Sequence, residues 1–209
     1  MSDWWAIALV SVCNENICPF ELQWTYSTTT GTTSGVWTAY PSGASEFTTV
    51  FIEVSLARSL VLLHFAEIRS VTTEYSAIYT DGSKDGGRVA STAVLGQQVY
   101  YARLPSASSV FSAEASAILL ALKFVASSDK SKCMICSDSL SCLLAIESCK
   151  TQNPFILKIV QIYKSLVAIG KHVIFTWIPS HIGIHGNTVV DKEAKNALDD
   201  PVFNSSYWF

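Results

Sequence analysis

Four acidic residues in the second half of the sequence have the type and setting from which a metal site can be built. Asp81 and Asp138 each follow a short β-type run, and Glu114 and Asp191 each lie on the apolar stripe of a predicted helix. Converging carboxylates supply the hard oxygen ligands that bind Mg²⁺ or Mn²⁺. Two such ions about 4 Å apart can activate a water molecule and stabilise the leaving oxygen in phosphodiester hydrolysis.

Each acid alone has an ordinary structural explanation. Glu114 could stabilise a helix dipole from its first turn, Asp138 could cap a helix, and Asp191 could be a satisfied acid at the edge of the core. A buried acid is costly unless it is paired or bound to a metal. Four acids in such settings favour a shared metal site, where bound ions would also offset the repulsion between the carboxylates.

The elements that must position these acids can be read from residue 75 onward. Apolar runs and turn residues predict strands at 77–80, 89–95, 98–103, 133–136 and 172–177. Helical periodicity predicts helices at 112–125, 139–149, from 153 to Gly170, and after a loop at 179–187. Gly82 and Ser83 are expected to turn the chain after Asp81. The order βββαβααβα predicts an α/β layer of mixed strand directions.

The composition is that of a folded chain with no strongly basic surface. The 209 residues are 49% hydrophobic and 15% charged, and the formal net charge is −3. Residues 1–74 hold two basic and seven acidic residues, whereas residues 75–209 hold twelve basic and ten acidic. The lack of a strongly basic balance does not exclude a nucleic-acid substrate, because a bound metal supplies positive charge at the site itself.

The six cysteines do not have the density of a disulfide framework, which favours a reducing compartment. Cys133 and Cys136 have the spacing of a zinc or redox motif, but residues three apart in a strand face opposite sides. We therefore expect buried core thiols. The apolar run at 4–12 lacks a positive flank, and no apolar stretch reaches the 18–20 or so uncharged residues that span a bilayer. We expect the cytoplasm or nucleus and no membrane association.

Residues 1–74 contain no recognisable chemical motif. The stretch 27–45 is rich in Ser, Thr and Gly and predicts a loop or linker. Residues 47–54 favour a strand, and 56–68 favour a helix. We predict an N-terminal extension over 1–74 that is poorly defined and partly disordered, a domain over 75–200, and a C-terminal tail over 201–209.

Four segments together resemble the motifs of ribonuclease H. They are Tyr-Thr-Asp81-Gly-Ser, Ser-Ala-Glu114-Ala-Ser-Ala-Ile, Cys-Ser-Asp138-Ser and Trp-Ile-Pro-Ser-His181-Ile-Gly-Ile-His-Gly-Asn187-Thr-Val-Val-Asp191. They occur in the family's order and at its spacing, over about residues 76–198. The motif sequences are type 1-like and are most similar to those of the ribonuclease H domains of arthropod non-LTR retrotransposon polyproteins. The resemblance implies a ribonuclease H-like fold, a five-stranded mixed sheet flanked by helices.

The resemblance also implies endonucleolytic cleavage of the RNA strand of an RNA–DNA hybrid, leaving 5′-phosphates. Two Mg²⁺ ions, for which Mn²⁺ can substitute, would be bound by Asp81, Glu114, Asp138 and Asp191. His181 would assist proton transfer or product release; its plain alternative is a solvated loop histidine. Gly82, Ser83 and Ser139 would lie against the hybrid backbone, and Asn187 would order the loop and the last helix beside that substrate-binding surface.

The sequence departs from the cellular enzymes of this family at its substrate contacts. Val110 and Phe111 replace an Asn pair, Leu140 replaces a Gln, and residues 149–153 leave no room for a basic protrusion. The departures imply weak affinity for the hybrid by a monomer acting alone, and a reverse transcriptase region of the same element as a partner. An inactive nucleic-acid-binding relic is the alternative, and a DNA-strand-transfer enzyme is a third, less supported one.

Overall fold

The computed structural model describes residues 5–11, 21–28, 31–38, 48–54, 58–148 and 152–199. Within these ranges the strands are β1 (Trp5–Ser11), β2 (Glu21–Thr28), β3 (Gly31–Thr38), β4 (Thr48–Val54), β5 (Ser76–Asp85), β6 (Arg88–Leu95), β7 (Gln98–Leu104), β8 (Lys132–Ser137) and β9 (His172–Trp177). The helices are α1 (Arg58–Val71), α2 (Val110–Ser127), α3 (Leu140–Ser148), α4 (Pro154–Ala168) and α5 (His185–Asn196).

The five strands predicted after residue 75 form the central part of one mixed sheet. Its order is β4-β1-β9-β8-β5-β6-β7. Strands β9, β8 and β5 are parallel, and β6 and β7 extend the sheet as antiparallel hairpins. The predicted fold class is confirmed. Strands β1 and β4 add to the β9 edge, through the antiparallel pairing of β1 with β9.

The prediction that Gly82 and Ser83 turn the chain is wrong. Strand β5 continues through both residues to Asp85, and the turn follows at Gly86 and Gly87. The reason is the long antiparallel pairing of β5 with β6, which runs from Tyr79 to Asp85. Tertiary strand pairing overrides the local turn preference of a Gly-Ser pair.

The start of the last helix was also misplaced. Helix α5 begins at His185, inside the loop predicted at 179–187. Ile184 occupies the N-cap position and makes no side-chain capping hydrogen bond, so the usual start signal is missing from the sequence. The loop predicted at 27–45 contains strand β3, whereas β4 and α1 lie where a strand and a helix were expected. The predicted tail at 201–209 lies outside the described residues.

The helices begin and end largely as their sequences indicate. The Asn153 side chain accepts hydrogen bonds from the backbone of Phe155 and Ile156, and Pro154 occupies the first turn of α4. Gly170 follows the helix with a φ of 79°, a conformation that favours glycine. Helix α2 is the helix in the described part of the chain that is long and apolar enough to cross a membrane; its contacts with the sheet and α4 bury most of it.

Strand β8 lies between two parallel neighbours and is buried along most of its length. Cys133 and Cys136 on this strand are fully buried and free. Burial raises the pKa of the Cys136 thiol to about 12, which disfavours the reactive thiolate. The two cysteines are therefore core thiols, as the strand spacing predicts.

Candidate active site

Asp81 lies in the middle of β5, at the level where one neighbouring strand ends. The parallel pairing of β5 with β8 stops at Thr80 and Ser137. Beyond that level β5 is paired with β6 alone, and Asp138 directly follows the end of β8. The carboxylates of Asp81 and Asp138 therefore both lie where the pairing of β5 with β8 stops.

Helix α2 brings Glu114 to the same place because it packs very closely on β5. A Cβ atom at Gly82 would lie 2.5 Å from the backbone nitrogen of Glu114 and 2.6 Å from the carbonyl carbon of Ala113. Gly82 is thus required for the approach of α2 and not for a turn. The start of α2 is fixed by Ser109, whose side chain accepts a hydrogen bond from the Ser112 backbone N–H.

Helix α5 packs on the other face of β5. A Cβ atom at Gly186 would lie 2.1 Å from the ring of Tyr79, so this glycine lets the first turn of α5 rest on that ring. Tyr79 and Gly82 are three residues apart, and side chains alternate along a strand, so they point to opposite faces. Glycines therefore let two helices approach the Asp81 strand from both sides.

Asp138 is held by groups from the end of β9 and from the residues that follow it. Its Oδ2 atom accepts hydrogen bonds from the Ser180 hydroxyl at 2.7 Å and from the Asn187 side-chain amide at 3.4 Å. The indole N–H of Trp177 donates to the Asp138 backbone carbonyl at 3.0 Å. Both the backbone and the carboxylate of Asp138 are therefore oriented by the protein itself.

Three of the four predicted acids form one compact cluster. Carboxylate oxygens of Asp81, Glu114 and Asp138 all lie within 4.8 Å of one another. Asp191 does not belong to this group, although it lines the same groove. Its Oδ2 atom accepts from the Lys195 ammonium at 2.8 Å, an i,i+4 pair on α5.

Two of the clustered carboxyls, Asp81 and Glu114, have raised pKa values. Burial, followed by the charges of Asp138 and Asp191, raises the pKa of Asp81 to about 7. Burial, followed by the charges of Asp81 and Asp138, raises the pKa of Glu114 to about 9. Both side chains are only 8% exposed, so water screens the repulsion poorly. The cluster therefore favours protons or another cation over bare charges.

The donor set fits a hard divalent cation. All three clustered groups offer carboxylate oxygens, the ligands that Mg²⁺ and Mn²⁺ prefer. Glu114 Oε2 is buried and has no hydrogen-bond partner among the described residues. A buried acceptor without a partner is costly. A bound cation would satisfy this oxygen and relieve the repulsion together.

The acids line an open groove of about 630 Å³. The predicted residues Gly82, Ser83, Ser139 and His181 line it too, and His181 is exposed with a φ of 56°. Asn187 is instead buried behind the groove, against Asp138. The sequence interpretation missed three further lining residues, which are Lys84, Ser141 and Ser180. Their only sequence signal was proximity to the motif acids or to His181.

The comparison with family models identifies the family of this chain. The family model described as RNase H matches residues 73–199, more than half of the chain. RNase H1 from the halophilic archaeon Halobacterium salinarum NRC-1 is 20% identical; the match covers 60% of this chain and 98% of that one, with a TM-score of 0.47. LC11-RNase H1, isolated from compost by a metagenomic approach, is 20% identical, with 59% and 94% covered and a TM-score of 0.48. No curated protein matches the chain.

Proposed function

Because this chain belongs to the RNase H family, we propose that it hydrolyses the RNA strand of RNA–DNA hybrids with two divalent metal ions, Mg²⁺ or Mn²⁺. The observation that supports the proposal best is the buried cluster of Asp81, Glu114 and Asp138. Its carboxylate oxygens lie within 4.8 Å of one another, and Glu114 Oε2 has no partner among the described residues. Such a cluster destabilises the fold, and a bound cation would offset that cost.

The residues divide the work in this proposal. Asp81, Glu114 and Asp138 hold the first ion, and Asp191, which lines the same groove, contributes to the second. When bound, the ions lower the pKa of a water nucleophile and stabilise charge on the leaving oxygen. His181 is exposed on the rim of the groove, where it can exchange protons with solvent or with the product.

Substrate contacts follow from the groove lining. Ser83 and Ser139 offer hydroxyls, and Gly82 offers backbone, to the sugars and phosphates of the hybrid. The 2′-hydroxyl is the group by which such a site separates RNA from DNA. Val110 is 52% exposed and lines the groove together with Phe111, so this wall is apolar. An apolar wall gives few hydrogen bonds, which supports weak binding by the chain alone.

The evolutionary part of the proposal rests on the sequence motifs. We place the chain with the ribonuclease H domains of arthropod non-LTR retrotransposon polyproteins. In that setting a reverse transcriptase region would hold the hybrid and offset the weak grip of the groove. The chain would then cut hybrids slowly as a monomer and faster beside that region.

Cleavage of a labelled RNA–DNA hybrid in Mg²⁺, and then in Mn²⁺, tests the function. The matched control is Asp138→Asn, which keeps the shape and the Ser180 acceptor but removes a charged ligand. Cutting by the natural chain alone, with 5′-phosphate products, supports the proposal. Failure of the natural chain to cut in either metal, with and without an added reverse transcriptase, refutes it.

An inactive relic that binds nucleic acid is the second candidate, favoured by the apolar wall of the groove. The two candidates differ in whether the acids still bind metal. A relic gains no thermal stability from Mn²⁺, whereas a working site is stabilised by any ligand that binds the native state only. Stabilisation that Asp81→Asn abolishes counts against the relic.

A further inference from the structure

We propose that Ser180 is a positioning residue that holds the Asp138 carboxylate ready for the metal ion, an inference that rests on the proposed metal-dependent function. Its hydroxyl donates to Asp138 Oδ2 at 2.7 Å, the shortest side-chain hydrogen bond that this carboxylate receives. Ser180 stands beside His181 in the last of the four sequence motifs, but the sequence interpretation assigns it no role. It lines the same groove as the acids.

Asp138 needs such support because it lies outside the regular elements. It follows β8 and precedes α3, and its side chain is only half-buried. Without donors, this carboxylate could rotate into the groove and away from Asp81 and Glu114. Fixing a ligand before the ion arrives reduces the entropy lost on binding.

The position of Ser180 relative to Asp138 is itself fixed. The Ile178 backbone N–H donates to the Ser137 carbonyl at 3.0 Å, and the Trp177 indole donates to the Asp138 carbonyl. These bonds tie the segment after β9 to the end of β8. Ser180 therefore reaches the carboxylate from a rigid support and not from a free loop.

The two carboxylate oxygens of Asp138 have different roles in this proposal. Ser180 and Asn187 both donate to Oδ2, and this leaves Oδ1 for the ion. Hydrogen bonds from outer groups to ligating carboxylates orient the ligand, and their loss typically weakens metal affinity by about 10–100-fold. Because Asn187 donates from 3.4 Å, Ser180 supplies the stronger of the two restraints.

The test is Mn²⁺ affinity, measured by the electron paramagnetic resonance signal of free Mn²⁺ in titrations of the full chain without nucleic acid. We expect Ser180→Ala to weaken binding by about tenfold. Ser180→Thr keeps the hydroxyl and should retain most of the affinity. Ser165→Ala removes an exposed hydroxyl on α4, away from the groove, and should leave Mn²⁺ affinity unchanged.

A second readout separates positioning from general damage. In hybrid cleavage, the Mn²⁺ concentration that gives half-maximal rate should rise for Ser180→Ala by the same factor as the dissociation constant. The rate at saturating Mn²⁺ should recover most of its value. The metal-free melting temperatures of the Ala and Thr variants check that both fold.

The outcomes distinguish this inference from the proposed function. Unchanged Mn²⁺ affinity in Ser180→Ala, or equal losses in the Ala and Thr variants, overturns the role of Ser180 while hybrid cleavage by the natural chain still stands. Ser180-dependent Mn²⁺ binding without any cleavage supports the inference and refutes the proposed activity. A natural chain that binds no Mn²⁺ overturns the inference outright.

Discussion

Replacing Asp81 by asparagine should make the metal-free protein more stable. Asp81 is 8% exposed and lies among carboxylates whose charges oppose its ionisation. Asparagine has nearly the same shape and can still accept the backbone hydrogen bond from Gly82 through its side-chain oxygen. The substitution therefore removes a repelled charge without leaving a cavity.

The size of the effect follows from the pKa of Asp81. Its rise from 3.8 to about 7 is a shift of about 3 pH units, and each unit corresponds to about 1.4 kcal/mol. Full ionisation thus costs at most about 4 kcal/mol of stability. The buried amide keeps a desolvation cost, and a proton on Glu114 already relieves part of the repulsion, so we expect a gain of about 1–3 kcal/mol at about pH 8.

Thermal unfolding followed by circular dichroism, with chelator and then with Mn²⁺, measures this effect. A gain of 1 kcal/mol should raise the melting temperature by about 2–4 °C. We expect the order of stability to reverse in Mn²⁺, where the natural chain is stabilised and the variant is not. A metal-free variant that melts below the natural chain would show that Asp81 makes favourable contacts, and the reasoning from repulsion would be refuted.

Three further predictions concern pH, packing and the half-buried ammonium of Lys171. The folded-state pKa values of Asp81 and Glu114 are raised above their unfolded values, so the folded state binds more protons than the unfolded state. The stability of the metal-free protein should therefore fall as the pH rises from about 4 to about 9. Chemical unfolding across that range measures the stability, and a rise in stability with pH would contradict the prediction. Gly82→Ala should lower the free energy of unfolding by about 1–3 kcal/mol or more and weaken Mn²⁺ binding, because the new methyl group meets the backbone of α2. An unchanged free energy of unfolding in the variant would contradict the close approach of α2 to β5. Lys171→Met should lower the free energy of unfolding by about 1–2 kcal/mol and leave Mn²⁺ affinity intact, because the ammonium donates to the carbonyls of Val125 in the last turn of α2 and of Lys130 beyond it. Urea unfolding paired with a Mn²⁺ titration measures both, and unchanged stability or a loss of Mn²⁺ affinity would contradict the prediction.

The sequence predicts those parts of the fold that depend on local signals. The start of α4 is written in Asn153-Pro154, and its end in Gly170, so both were placed closely. Strand β5 was cut short because Gly82-Ser83 has the composition of a turn. Only the pairing with β6, a contact between residues that are separated in the sequence, keeps that segment extended. The early start of α5 was missed because no side chain caps it.

The residues of the site also differ in whether local sequence signals could identify them. The acids could be identified because their sequence settings indicate strand ends and apolar helix faces, and three of them do lie together, although Asp81 is in the middle of β5. The roles of Gly82 and Ser180 could not be read locally. One depends on how closely a helix approaches, and the other on a hydroxyl that reaches from the segment after β9 to the residue after β8.

The cost of the acid cluster bears on whether the chain is an enzyme or a relic. Asp81 and Glu114 are ionised only against burial and mutual repulsion, and Glu114 Oε2 has no partner among the described residues. None of these features helps the sheet to form, and an amide in place of either carboxyl would relieve the fold. Most proteins accept such a cost only where function requires a strained or repelled group. Two glycines that admit helices to both faces of β5, and a serine that holds Asp138, add precision to a cluster that folding alone would avoid. That combination favours a working metal site.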